Sequence, residues 1–172
     1  IGTPVGELDT PSLVVDLSLL DRNIEVMHSV FREADGASLR PNIESHLCLP
    51  IAHKQLASGG TVGGICTSTL SQAEVFAASG FSDILIANII VTDVKILRLC
   101  ALSRHCKVTV AVDSPENVAT LSEAASLTGT NLNVMVYLYV GSGPFGVQSV
   151  QAAVDIAASV SSAPGLDLAG VM

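Results

Sequence analysis

Apolar segments recur along this chain at intervals of roughly 22 to 30 residues, and an amphipathic stretch with a Gly or Pro stop follows each of them. The segments read as strands at residues 12–16 (SLVVD), 38–43, 62–66, 83–87, 107–112 (KVTVAV), 131–140 and 166–172. The stretches between them read as helices. In residues 17–34, Leu20, Ile24, Met27, Val30 and Phe31 recur every three or four positions, which makes one apolar face. Asp35-Gly36 ends that helix. Further helices are expected at 50–57, 72–79, 93–103, 115–127 and 148–162. Thr69 or Ser71, Thr92, and Asp113 or Ser114 stand as their caps, and Pro115 sits in a first turn. The Gly63-Gly64 pair in the third strand signals a close backbone approach or a tight barrel wall.

Seven strands joined by six helices in strict alternation imply right-handed crossovers and a parallel sheet. Two α/β architectures satisfy this, an open doubly wound sheet and a (β/α)8 TIM barrel. No GxGxxG follows the first strand and no P-loop lysine is present, which disfavours a nucleotide-binding open sheet. A barrel requires an eighth strand, so with about seven the barrel is expected to be incomplete, with exposed edges. Composition supports buried parallel strands under Ala-rich helices. Hydrophobic residues make up 49% of the chain, charged residues 14% and aromatic residues 3%, and mean hydropathy is +0.55. The 172 residues suit one domain, 1–172.

The net charge of −8 comes without a basic patch, so nucleic acid is not an expected partner. The longest apolar run, 84–91, is interrupted by Asn88 and is too short for a membrane span. Residues 1–10 carry no basic segment or apolar signal core. Cys48, Cys66, Cys100 and Cys106 have no CxxC spacing, so they read as free thiols of a cytoplasmic protein.

The polar cluster of the chain lies at 39–50 (LRPNIESHLCLP), at the carboxyl end of the second strand. Ligands bind at that end of the strands in such folds. The cluster holds Arg40, Asn42, Glu44, Ser45, His46 and Cys48. Glu44 and His46 read as an acid–base pair or as a solvated carboxylate beside a polar loop histidine. Cys48 reads as a metal ligand or nucleophile, or as a plain thiol. Gly141-Ser142-Gly143 presents backbone amides to an anion or simply turns the chain. His28, His53 and His105 read as structural, and Asp113-Ser114 as a helix cap.

Seven segments, in this order, resemble one family. They are TPSLVVD (10–16), RPNIESHLC (40–48), STLSQAEV (68–75), DILIAN (83–88), VTVAVDS (108–114), VGSGPFGV (140–147) and PGLDLAGVM (164–172). Together they resemble the amino-terminal barrel of the D-threonine aldolase and D-serine dehydratase family, of the alanine-racemase-like fold. The resemblance implies a TIM barrel, pyridoxal phosphate as cofactor, a D-amino acid as substrate and a homodimer. It also implies a carboxy-terminal β domain that carries the ligands of a divalent metal, and that domain has no counterpart in these residues. The family's second-strand motif is Arg-Pro-His-x-Lys-Thr-His-Lys, whose first lysine forms the Schiff base. Here Glu44 takes that lysine's position, Asn42 the preceding histidine's and Leu47 the second lysine's, while Arg40, Pro41 and His46 match. Beyond the sixth strand, Pro144 stands at the family's arginine and Tyr139 at its acidic position, and Ile89 replaces a polar residue after Asn88. A carboxylate supplies no amine for an aldimine. The resemblance therefore implies a degenerate homologue that retains Arg40 and His46 as cofactor-contacting residues and has no intact catalytic residue. The alternative is an active pyridoxal-phosphate lyase acting on β-hydroxy-D-amino acids such as D-threonine or D-serine.

Overall fold

A computed structural model describes residues 2–33, 35–141 and 145–172. Its frame is a parallel sheet of five strands: β1 (Ile65–Thr67), β2 (Asp83–Ile89), β3 (Lys107–Val112), β4 (Leu132–Val136) and β5 (Leu166–Val171). The strands lie in chain order, each bonded to its sequence neighbours. Six helices alternate with them: α1 (Leu17–Glu33), α2 (Leu49–Ala57), α3 (Leu70–Ala78), α4 (Asp93–Leu102), α5 (Pro115–Thr128) and α6 (Val150–Ser162). Consecutive order without a reversal is the arrangement of a barrel wall, not of a doubly wound sheet.

Local chemistry sets the helix ends. Thr69 Oγ1 accepts from the Gln72 amide at 3.3 Å, and Gln72 Oε1 accepts from the Thr69 amide at 3.2 Å, a reciprocal capping box. Ser114 Oγ, not Asp113, accepts from the Asn117 amide and caps α5, and Gly129 closes that helix at a φ of 63°. Thr92 precedes α4 without a side-chain cap bond.

One face of the sheet is dry. Ile84, Ile86, Val108, Val110, Val112, Leu132, Val134 and Val136 are buried, in one cluster with Ile96, Leu99, Leu121, Ala125, Ile156 and Val160 of the helices. Burying an aliphatic side chain of this size contributes about 1.5–3 kcal/mol, so this interface holds the fold together. The other face follows the register row Cys66, Leu85, Thr109, Asn133, Asp167, which becomes polar along the sheet. The far edge, β5, is sparsely covered, with Leu168 and Val171 exposed.

Two of the seven expected strands are not built as strands. Residues 12–16 adopt no regular structure, and Leu13, Val14 and Val15 are exposed. A strand exists through its pairing, and among the described residues this segment makes no ladder or bridge. Residues 38–43 make two isolated parallel bridges, Leu39 to Thr61 and Asn42 to Cys66. The segment stops there because the Asn42 side chain accepts from the Glu44 amide at 3.0 Å and starts a 3-10 turn at Ile43–Ser45. The third and sixth strands are shorter than expected, beginning at Ile65 and ending at Val136.

Candidate functional site at the carboxyl ends of the strands

Parallel strands bring the segments that follow them to one end of the sheet. Here these are the 43–48 turn, Ser68 after β1, Asn88 near the end of β2, Asp113 after β3 and Tyr137 after β4. Ile43 is fully buried and anchors the turn. Glu44, one residue on, is exposed, and its carboxylate accepts a hydrogen bond from the Ser68 hydroxyl. The carbonyl of Ser68 accepts from Asn88 Nδ2 at 3.2 Å, and Asn88 Oδ1 accepts from the Ile89 amide at 2.9 Å. Glu44, Ser68 and Asn88 thus form one hydrogen-bonded run across three successive segments.

His46 stands apart from that run. Its Nδ1 accepts from the Cys48 amide at 3.0 Å, so Nδ1 carries no proton. The hydrogen then resides on Nε2, which donates to Gln55 Oε1 at 3.2 Å. With Nδ1 accepting from Cys48 and Nε2 donating to Gln55, neither nitrogen is left to pair with Glu44. The acid–base pairing of Glu44 with His46 is not formed, since each side chain has a different partner. The Cys48 thiol is free and half-buried, at the N-cap of α2. Among the described residues, no group of three or more His, Cys, Asp or Glu side chains is arranged to hold a metal ion.

Arg40 lies elsewhere. Its Nη1 donates to Asp83 Oδ1 at 2.7 Å and to the Ile65 carbonyl at 3.2 Å. Lys107 Nζ approaches Asp83 Oδ2 at 3.2 Å. Asp83 and Lys107 are the first residues of β2 and β3, so this cluster sits at the amino ends of the strands, opposite the end that carries Glu44. The cofactor-contacting role expected of Arg40 has no support in this geometry, because the guanidinium is committed to the floor. Burial acts to raise the Asp83 carboxyl, but the hydrogen bonds and charges of Arg40 and Lys107 outweigh it and hold the group below the usual carboxylate range. Burial pushes the Cys66 thiol up.

The remaining candidates resolve simply. Asp113 Oδ2 accepts from the Gly146 amide at 3.1 Å and holds the sixth loop. Ser142, Gly143 and Pro144 lie outside the described residues, so the anion reading of that loop has no geometry to stand on. His28 is buried and its Nδ1 meets the Gly59 carbonyl at 2.7 Å, while His53 stacks on Phe81 with centroids 4.3 Å apart. His105 is exposed. Lys54 pairs with Asp21 at 2.7 Å. Lys95 on α4 lines a cavity of about 250 Å³ with Ser68, Ser71 and Asn88. Sequence reading placed Lys95 in a helix without seeing that the first turn of α4 reaches the carboxyl end of the sheet. Its position two residues after the Thr92-Asp93 cap was the available signal.

With this geometry in view, comparison with known proteins decides the family. A family model described as the alanine racemase N-terminal domain matches residues 15–172. The chain belongs to that family. It is 35% identical to a D-threonine aldolase from an Arthrobacter species over 170 residues. It is 37% identical over 171 residues to a 3-hydroxy-D-aspartate aldolase of Paracoccus denitrificans. The crystal structure of D-threonine aldolase from Filomicrobium marinum superposes with a TM-score of 0.92 at 35% identity, covering 97% of this chain. The chain spans only 44% of the length of each of these proteins. Its fold is therefore part of an alanine-racemase-type barrel wall. In this chain the run from Glu44 through Ser68 to Asn88 occupies the carboxyl end of that wall.

Proposed function

We propose that this chain is a D-threonine-aldolase-like barrel domain, residues 1–172, whose Schiff-base position is held by Glu44, and that it is a degenerate homologue with impaired or no catalysis. One observation carries this reading. The Glu44 carboxylate sits at the carboxyl end of the wall and is occupied by the Ser68 hydroxyl. Anchoring an aldehyde cofactor needs a primary amine at that place, and a carboxylate is neither a nucleophile for imine formation nor a favourable neighbour for a phosphate. The other groups near that end do not compensate. His46 is saturated, and Arg40 is pinned to Asp83 at the far end. The residues present thus do not fit a covalently held pyridoxal phosphate at position 44. The ligand class remains a small D-amino acid, by kinship with the aldolases.

A second reading, an active pyridoxal-phosphate lyase on β-hydroxy-D-amino acids, draws on Lys95, whose side chain lines the cavity beside Ser68 and Asn88. One experiment separates the two. The purified chain and its Glu44→Lys variant are mixed with pyridoxal phosphate, reduced with borohydride and mapped by peptide mass spectrometry. The first reading expects no lysine adduct in the native chain and an adduct at position 44 in the variant. An adduct at Lys95 in the native chain, removed by Lys95→Met, would overturn it in favour of the second.

A further inference from the structure

The 43–48 turn carries three features that belong together. Leu47 has a φ of 48°, making it the sole described non-glycine residue in the left-handed region, and its side chain is exposed. A leucine gains nothing from that conformation by itself, since its Cβ crowds the following carbonyl. The turn holds it there. The Leu47 amide donates to the Ile43 carbonyl at 2.7 Å, and the His46 amide donates to the same oxygen at 3.2 Å. The third hold is the imidazole: His46 Nδ1 reaches over Leu47 to accept from the Cys48 amide at 3.0 Å.

That last bond works in one protonation state. An imidazolium has N–H on both nitrogens and accepts nothing. A proton added at Nδ1 would point at the Cys48 N–H, donor against donor. We propose that the 43–48 turn is a proton-operated switch. Neutral His46 locks Leu47 in its left-handed conformation by accepting from the Cys48 amide, and protonation of the imidazole breaks that bond and releases the turn. The proton comes from solvent, and no bond other than hydrogen bonds is made or broken. Gln55 tolerates either state, because its Oε1 accepts from Nε2–H in both.

The groups around the imidazole are few. Its own turn supplies Glu44 and Cys48. Across a cavity of about 360 Å³ shared with α1, α2 and residues 39–42, α1 presents His28 and the extended segment presents Arg40. Of these, His28 is tied to the Gly59 carbonyl and Arg40 to Asp83, so neither replaces Nδ1 as an acceptor for the Cys48 amide. Glu44 is the anion of this set, and its carboxylate is held by the Ser68 hydroxyl, not by the imidazole. The switch does not depend on how Glu44 came to occupy its position, so it stands or falls separately from the loss of the Schiff-base lysine.

Amide hydrogen exchange read by NMR tests it on the whole chain. Protection factors, corrected for intrinsic exchange, are compared between about pH 8 and about pH 5, the range across which an imidazole changes charge. Cys48 should lose protection by about tenfold, the equivalent of one hydrogen bond, while amides of β2, β3 and β4 hold theirs. In His46→Asn, Oδ1 stands where Nδ1 was and does not titrate, so Cys48 should keep its protection at both pH values. Leu47→Gly relieves the left-handed backbone but leaves the imidazole as the acceptor for Cys48, so the acid loss should persist there, which gives an independent readout if the asparagine variant does not fold; its disappearance in Leu47→Gly would also overturn the proposal. Unchanged Cys48 protection in the native chain, or an acid loss of equal size in His46→Asn, would overturn the proposal.

Discussion

Gly64 is the tightest point of the floor, and replacing it with alanine gives a worked test of the packing there. A Cβ at Gly64 would lie 2.5 Å from Arg40 Nη1, 2.6 Å from the Asp83 carbonyl oxygen and 2.7 Å from Asp83 Oδ1. The guanidinium can swing away, but the carbonyl oxygen is part of β2 and cannot. Asp83 is in register with Lys107, and the Lys107 amide donates to the Ser82 carbonyl at 2.8 Å beside it. The variant must therefore both crowd the Asp83 backbone and break the Arg40–Asp83 bond, since the methyl meets both. Losing a charge-assisted hydrogen bond of this partly buried kind costs about 1.5–3 kcal/mol, and forcing a methyl into a filled space costs about 1–3 kcal/mol. Removing a glycine from the unfolded chain returns about 0.4–1 kcal/mol. The net expectation for Gly64→Ala is a loss of about 1.5–5.5 kcal/mol, which for a domain of this size lowers Tm by roughly 3–22 °C. Urea titration followed by circular dichroism measures it, with Gly63→Ala as the control. Gly63 has open space around it and a φ of 78°, so its penalty is purely conformational, about 1 kcal/mol. A Gly64→Ala midpoint within error of the native chain, or a larger effect at Gly63, would refute this account of the floor.

The ion cluster makes its own prediction in acid. Because the folded Asp83 carboxyl is held below its unfolded value, its contribution is fully present above about pH 4, the ordinary aspartate range, and is lost as pH falls through the lower folded value. Asp83→Asn should cost about 1–3 kcal/mol at pH 7, and its gap from the native chain should narrow as pH falls below the ordinary aspartate range; a gap independent of pH would count against the ion pair. The thiols should divide by burial. Iodoacetamide at neutral pH should label half-exposed Cys48 first and reach Cys66 and Cys106, whose thiols burial pushes up, only on unfolding; equal labelling rates by mass spectrometry would contradict the packing described.

Much of the wall was legible in the sequence because its signals are local. The six helices follow from apolar spacing and from caps such as Thr69 and Ser114, which act within one turn. KVTVAV is a strand in both readings, since its alternate valines need a dry face and the helices supply one. The Gly63-Gly64 pair reads as a close backbone approach or a tight barrel wall, and the Cβ distances place the close approach at Gly64 alone, with open space at Gly63. What failed was pairing. Residues 12–16 have the composition of a strand, but a ladder depends on a partner that composition does not reveal. Residues 38–43 were cut short by the Asn42 side chain, a competition between turn and ladder that a propensity reading does not resolve. At the site, the position of Glu44 was legible and its partner was not, because Ser68 lies 24 residues away. Arg40 was misplaced for a similar reason. It belongs to the same short segment as Glu44, yet an extended backbone carries four residues about 13 Å, enough to separate floor from rim.

The strict chain order of the sheet has a consequence for how it comes apart. Each strand bonds only to the strands one βα unit before and after it, so no contact in the wall has to close a long loop across the molecule. Cohesion then passes along the wall as through a row of tiles, each fixed by two neighbours except at the ends. β3, bonded on both sides and buried along nearly its whole length, is the middle tile, while β5 is held along one edge. Loosening should run inward from the rim tiles, with the middle of the row surviving as the last ordered unit.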